Sequence, residues 1–267
     1  MREKSLKLVH CVLVVLVLLS ASVQAERFSV LVYHGANPPY NYLEKGKQAG
    51  IFRDIFDLIA AQTGHEFEFI ALSVARGQRL FEAGEIDIEP GVNPSWRQHS
   101  KVPGIYSVHY AFSREIVLGR EGARPHTSPR SFYHQLIGVV RGYSYGAFER
   151  HFGPDKIVVY DNISEKKLLA QLAYARLDYI LIGDVVAAYY IAKYPEYRGF
   201  TEIYEVSKLP VSMRMQPKHT KLKAEINRAL RYLVEQGKIA QVYSKYGIIM
   251  PLVTYDMPVP LIDGSVP

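Results

Sequence analysis

Short β-branched runs alternate with amphipathic helical runs twice along this chain, and that alternation is the tightest constraint on its fold. The first series reads RFSVLVYH, GIFRDIFDLIAAQTG, HEFEFIAL, ARGQRLFEAG and EIDIEPGV. In the second of these segments Ile51, Ile55, Phe56, Leu58 and Ile59 share one helical side, and Gly64 supplies a stop. HEFEFIAL alternates with period two, as a half-buried strand does. SREIVLGREG then runs as a strand into ARPHTSPRS, a polar connector with prolines. A second series follows: strand QLIGVVRG, helix AFERHF, strand KIVVY, helix SEKKLLAQLAYAR, strand LDYILIGD and helix VVAAYYIAKY. An extended return, YEVSKLPVSMRM, leads to a helical hairpin over HTKLKAEINRALRYLVEQGKIAQVYSKYG and a proline-rich tail, IIMPLVTYDMPVP. Strand–helix–strand repetition predicts parallel sheets with right-handed crossovers. Two such series, the second bounded by two extended strands, predict an α/β protein of two lobes joined by two crossings. Ligand pockets favour such junctions.

The N-terminus predicts where the chain works. MREKSLK is basic, CVLVVLVLL is apolar, and SASVQA carries small residues at Val23 and Ala25, the pattern of a secretory signal peptide, residues 1–25, cleaved after Ala25. The apolar run is short for a spanning helix, and no later segment approaches ~20 apolar residues. The single cysteine, Cys11, lies inside the signal, preceded by LVH rather than the small residues of a lipoprotein site. The mature chain would therefore hold no disulfide and rely on its core, which suits a bacterial periplasm. Arg2, Lys4 and Lys7 against Glu3 give the signal a net +2, so the formal +6 falls to +4 after cleavage. That surplus is spread over the chain without a basic run, and nucleic-acid binding is not expected.

Five segments in order carry a family resemblance: NPPYNYLEKGKQAGIFRDIFDLIAAQTG, FEAGEIDIEPGVNPSWR, IGVVRGYS, LDYILIGD and EINRALRYLVEQGKIAQVYSKYG. Over roughly residues 27–250 the chain resembles the family 3 extracellular solute-binding proteins, the amino-acid-binding components of ATP-driven importers. The resemblance implies a type II, Venus-flytrap periplasmic-binding-protein fold. Lobe one is expected over 26–117 and 208–267, and lobe two over 118–207. It implies a monomer that holds a small zwitterionic or anionic solute without cofactor, metal or catalysis, and passes it to the permease of an ABC importer. A dehydratase-like enzyme or a free periplasmic sensor is the alternative on the same architecture.

The resemblance also suggests site residues. Arg97, in NPSWRQ, matches the arginine that takes an α-carboxylate, for which a guanidinium fork is well shaped. Gly91 and Asn93 match a Gly-x-Thr segment facing the ammonium, with the Asn93 amide oxygen replacing a hydroxyl. Asp184, at the end of LDYILIGD, matches the ammonium-binding aspartate, although Asp also suits a helix N-cap. Tyr143 and Ser144 occupy the turn before a helix whose N–H groups would face an anion. Asn37 and Val74 stand where the family usually has aromatics, and His34 where it often has an acid, so the side-chain pocket differs from that of a typical glutamine or basic-amino-acid binder. Arg76, near Val74, could reach a second anionic group.

One motif points elsewhere. Gly142-Tyr143-Ser144-Tyr145-Gly146 spells G-x-S-x-G, the nucleophile elbow, and Asp184 and His219 follow in the order a hydrolase triad needs. The motif alone is weak, and His219 lies in the polar QPKHTKLK at an expected helix start. The histidines show no H-x-x-x-H or H-E-x-x-H spacing, so a metal site is not expected.

Overall fold

The computed structural model describes residues 25–33, 37–250, 253 and 255. The expected signal segment, apart from Ala25, His34 and most of the proline-rich tail lie outside the described residues. The first series folds as β1 (Arg27–Tyr33), a small hairpin of β2 (Tyr42–Glu44) and β3 (Lys47–Ala49), α1 (Ile51–Thr63), β4 (Glu66–Leu72), α2 (Val74–Glu82) and β5 (Ile88–Val92). Helix α1 follows its pattern: Ile51, Ile55, Phe56 and Ile59 are buried, and Gly64 ends it in the left-handed conformation with its N–H on the Ala60 carbonyl.

Strands β6 (Ile105–Tyr106) and β7 (Ala111–Gly119) lead into the second series: β8 (Leu136–Val140), β9 (Val158–Asn162), α3 (Glu165–Ala173), β10 (Tyr179–Gly183) and α4 (Asp184–Lys193). The long return is β11 (Thr201–Met215), followed by α5 (Thr220–Glu235) and α6 (Lys238–Lys245). The expected helix over AFERHF is a six-residue 3-10 turn, Gly146–His151, instead. So short a run cannot recover the cost of nucleating an α-helix, and its buried aromatic, Phe148, packs equally well from a tighter turn.

The strands lie in the order β4-β1-β5-β11-β7-β10-β8-β9, with β6 on β11 off this path. β1 runs parallel to β4 and β5, and β8 parallel to β9 and β10. β7 and β11 form the long antiparallel ribbon that joins the two parallel groups: β11 pairs with β7 through Thr201–Val211 and with β5 through Ser212–Met215. These are the two extended strands that the sequence places around the second series. Apolar packing is likewise split. Ile51, Ile55 and Phe56 meet Ile226, Leu230 and Tyr243 on one side of the ribbon, while Leu168, Leu169, Leu172 and Ile180 form a core on the other. Among the described residues no helix is long and apolar enough to cross a membrane.

Candidate functional site

A cavity of about 140 Å³ opens where the two series meet the ribbon. The carboxyl end of β1 supplies Tyr33, β5 supplies Glu89 and, near its carboxyl end, Gly91, and the 3-10 turn Pro94–Arg97 that follows supplies Trp96 and Arg97. Tyr143, Ser144, Glu165 and Gly183 come from the second series, and Glu115 from β7. Ligand sites at the carboxyl ends of parallel strands are the rule for such sheets. Gly91 is required here: its φ is +65°, and an added Cβ would lie 2.8 Å from Phe52.

Arg97 is in the wall of this cavity, but it is not free. Its Nε donates to Glu89 at 3.2 Å, one Nη to Glu89 at 2.5 Å and to Tyr33 at 3.1 Å, and the other Nη to the Trp96 carbonyl at 3.1 Å. Four of the five N–H groups of a guanidinium are thus engaged. Glu89, 1 % exposed, accepts further bonds from Tyr33, from Gln78 at 2.8 Å and from Arg214 at 2.9 Å. Arg214 is itself fully buried, with its remaining donors on Pro103, Gln78 and Val102 and its guanidinium over Phe81. Burial alone would raise the Glu89 carboxyl, but Arg97, Tyr33 and Arg214 together hold it below the ordinary carboxylate range. The same surroundings, burial first and then Glu89, push the Tyr33 hydroxyl upward.

The opposite wall is acidic. Glu165, the first residue of α3, is 5 % exposed, and its partner there is the Tyr143 hydroxyl, which also accepts from Asn37 at 3.3 Å. Glu115 has no hydrogen bond or ion pair among the described residues. Burial raises the Glu115 carboxyl well above its usual range, and the charges of Glu165 and Asp184 raise it further. Burial likewise raises Glu165, against the hydrogen bonds of its own backbone and Tyr143. Two buried polar atoms on the lining have no partner among the described residues: Asn37 Oδ1 and the hydroxyl of Tyr110, a residue 0 % exposed.

The other residues singled out in the sequence sort as follows. Asn37, Gly91, Tyr143 and Ser144 line the cavity. Asn93 does not: its amide donates to the Pro210 carbonyl at 2.7 Å and its Oδ1 caps the Pro94–Arg97 turn through Ser95, a local task. Arg76 is exposed on α2 and is not part of the lining. Asp184 stands at the rim, between the lining residues Gly183 and Val186. One oxygen accepts from the Val185 N–H at 2.7 Å, and Arg114 lies 3.7 Å from the other. Arg114 is shared with Glu202 and Glu205 on β11.

Ser144 lacks both of its expected settings. The run after it is the six-residue 3-10 turn, whose leading N–H groups are used internally: Tyr145 donates to Glu149 at 2.6 Å and Gly146 to Ser144 Oγ at 3.4 Å. The hydrolase triad is not assembled, because His219 is bonded to Asp87 at 2.7 Å, packs edge-on against Phe28, and is no part of the cavity. Among the described residues no cluster of His, Cys, Asp and Glu is arranged to hold a metal ion.

Glu89, Arg214, Glu115 and Glu165 were not anticipated from the sequence. A signal for three of them exists: each interrupts an apolar strand, in IEPGV, VSMRM and REIVLG. A charge at such a position is either paired in the core or faces a cavity. Glu165 carries no such signal, since Ser-Glu at a helix start reads as ordinary capping.

The fold is shared with several solved structures. A histidine kinase sensor domain with similarity to periplasmic binding proteins matches at a TM-score of 0.72 and 17% identity, over 84% of this chain and 98% of that one. An ancestral arginine-binding protein bound to arginine matches at 0.71 and 19%, over 82% and 97%. The arginine-, lysine-, histidine-binding protein ArtJ from Geobacillus stearothermophilus matches at 0.70 and 20%, over 84% and 96%. At such identities the likeness is one of fold, and the fold is that of the type II periplasmic binding proteins. No curated protein sequence matches the chain. The model of the bacterial extracellular solute-binding proteins, family 3, matches residues 30–248. With most of its length so matched, and its cavity where the two strand–helix series converge, the chain belongs to the bacterial extracellular solute-binding proteins, family 3.

Proposed function

We propose that this protein captures one small solute, an amino acid or a derivative of one, in the cavity between its lobes, and delivers it in the periplasm to the permease of an ABC importer. Residues 1–25 are then a removed signal. The lobes are 26–117 with 208–267 and 118–207, and the working form is a monomer that binds without catalysis. The single observation that carries this reading is the cavity itself, which draws a guanidinium–carboxylate wall from the first series and a carboxylate wall from β7 and the second. Opposed charges facing one small volume suit a zwitterion better than a plain anion, which would meet Glu115 and Glu165. The structural neighbours named for arginine or for arginine, lysine and histidine support the amino-acid class. Closure of the lobes would desolvate both ends of the solute, a hinge transition.

The protein has a built-in reporter. Trp96 is its one tryptophan and lies on the lining. Titration of amino acids, amines and dicarboxylates should change Trp96 fluorescence in a saturable way for at least one class, with a matching rise in melting temperature. Silence of both signals across the panel would sink the solute-capture reading.

A further inference from the structure

The cavity contains more hydrogen-bond acceptors than donors, and the excess lies on one side. On the first wall Arg97 and Arg214 are spent on Glu89, Tyr33 and backbone carbonyls, so a ligand carboxylate would have to displace Glu89 to gain a bidentate grip. On the second wall the Glu115 carboxylate has no donor among the described residues, and Glu165 has only its own backbone N–H and Tyr143. Asn37 Oδ1, also on the lining, is a buried acceptor left without a partner, and the unpartnered hydroxyl of the wholly buried Tyr110 is on the lining too. Leaving a buried acceptor unsatisfied costs about 1–3 kcal/mol. A ligand that brings several N–H donors and a positive charge would remove that cost at Asn37 Oδ1 and meet both carboxylates at the same time.

Six aromatic side chains share the lining: Tyr33, Tyr40, Phe52, Trp96, Tyr110 and Tyr243. Rings around a buried cation add a favourable face, and aromatic cages are a known way to hold ammonium groups. The volume, about 140 Å³, is close to that of a protein cavity known to admit benzene, so the solute is small.

We infer that Glu115 and Glu165, rather than Asp184, receive the ligand, and that they select a small organic amine, an ammonium or guanidinium compound, for which an α-carboxylate is not required. This rests on the solute-capture reading above and sharpens it. Asp184 is excluded from the primary role because its oxygens already serve the α4 backbone and Arg114 at the rim.

The test uses the mature protein, isothermal calorimetry and Trp96 fluorescence, with agmatine and cadaverine as probes, arginine and lysine as their carboxylate-bearing counterparts, and glutarate as an anion. The amines should bind within about tenfold of the amino acids, and glutarate should not bind. Glu115→Gln and Glu165→Gln should each weaken amine binding by about 30-fold or more, the scale for removing one member of a buried charge pair. Asp184→Asn should weaken it by less than about fivefold. Melting curves of both glutamine variants establish that they are folded, and a buried neutral amide in place of a buried acid should not lower the melting temperature at pH 8. Arginine or lysine binding 100-fold tighter than its decarboxylated counterpart would overturn the inference, as would Asp184→Asn costing more than either glutamate change. Binding of glutarate but of no amine would also overturn it while leaving solute capture intact. No response to any of these five probes overturns the amine inference, while solute capture falls only if the full panel of amino acids, amines and dicarboxylates is silent too.

Discussion

Glu89→Gln tests the charge arrangement most directly. Glu89 is 1 % exposed and accepts five hydrogen bonds, three of them from the guanidinium groups of Arg97 and Arg214. Glutamine fits the same space but carries no charge, and its NH₂ would face guanidinium N–H groups, donor against donor. Breaking a buried ion pair by removing one partner costs about 3–5 kcal/mol, because the partner charge stays buried. Here two cations share the one anion, so the upper half of that range is expected. For a chain of this size each kcal/mol moves the melting temperature by about 2–4 °C, giving a drop of roughly 8–20 °C. Circular dichroism melts at pH 7 would measure it. The sign with pH follows from the lowered Glu89 pKa: its contribution is present above the unfolded value of about 4.3 and is lost as pH falls through the lower folded value. Wild type should therefore lose stability in strong acid more steeply than the variant. Released from Glu89, Arg97 should also gain affinity for glutarate. A variant that melts within about 2 °C of wild type and gains no anion binding would refute this account of the wall.

Four further outcomes follow. Ser144→Ala should change solute affinity by less than about threefold, because the Ser144 hydroxyl only accepts from Gly146 at the cavity edge; a loss of all binding in calorimetry would contradict this. Gly91→Ala, at φ +65° and against the Phe52 ring, should lower the melting temperature by several degrees and abolish binding, whereas Gly122→Ala, also at positive φ but with open space around it, should leave binding intact in the same titration. His219→Ala should weaken the Asp87 cluster, Ser29 and Lys218 included, and destabilise the fold without altering solute affinity, which a melt and a titration separate. Amine affinity should rise with pH above the ordinary carboxylate range. Glu115, raised by burial and by the charges of Glu165 and Asp184, and Glu165, raised by burial against its bonds to its own backbone and Tyr143, give up protons to bind a cation; calorimetry in buffers of different ionisation enthalpy would read proton release.

Much of the fold was legible because it rests on periodicity. The buried stripe of α1 and its stop at Gly64 follow directly from residue spacing, and the two long strands around the second series are visible as extended, return-type runs. The 3-10 turn over Gly146–His151 was not legible, since AFERHF has the composition of a helix and only its length excludes one. At the site, Arg97, Gly91, Asn37, Tyr143 and Ser144 all line the cavity, brought together from distant parts of the chain. Asn93 and Arg76 were drawn in by proximity in sequence, yet one caps a turn and the other faces solvent. Their chain positions are near the cavity, but side-chain direction is set by strand pleat and helix phase, which a motif match does not encode.

The larger gap concerns partners rather than positions. Arg97 sits where a carboxylate-binding arginine belongs, but the residue that decides what it can bind is Glu89, eight positions earlier and on the same wall through β5. A guanidinium facing a cavity attracts anions; the same guanidinium bonded through Nε and Nη to a buried carboxylate presents little net charge and one spare donor. Arg97 first, then Tyr33 and Arg214 from the far end of β11, allow Glu89 to stay ionised in the interior while it holds both cations. The opposite wall shows the reverse case. Glu115 and Glu165 have no cation assigned to them from anywhere in the described chain, so their charge must be met from outside the protein or suppressed by protonation. Specificity in this cavity is therefore set by which groups the fold has already engaged: the guanidiniums of the first wall are held by Glu89, Tyr33 and backbone carbonyls, whereas the carboxylates opposite are left for a ligand amine.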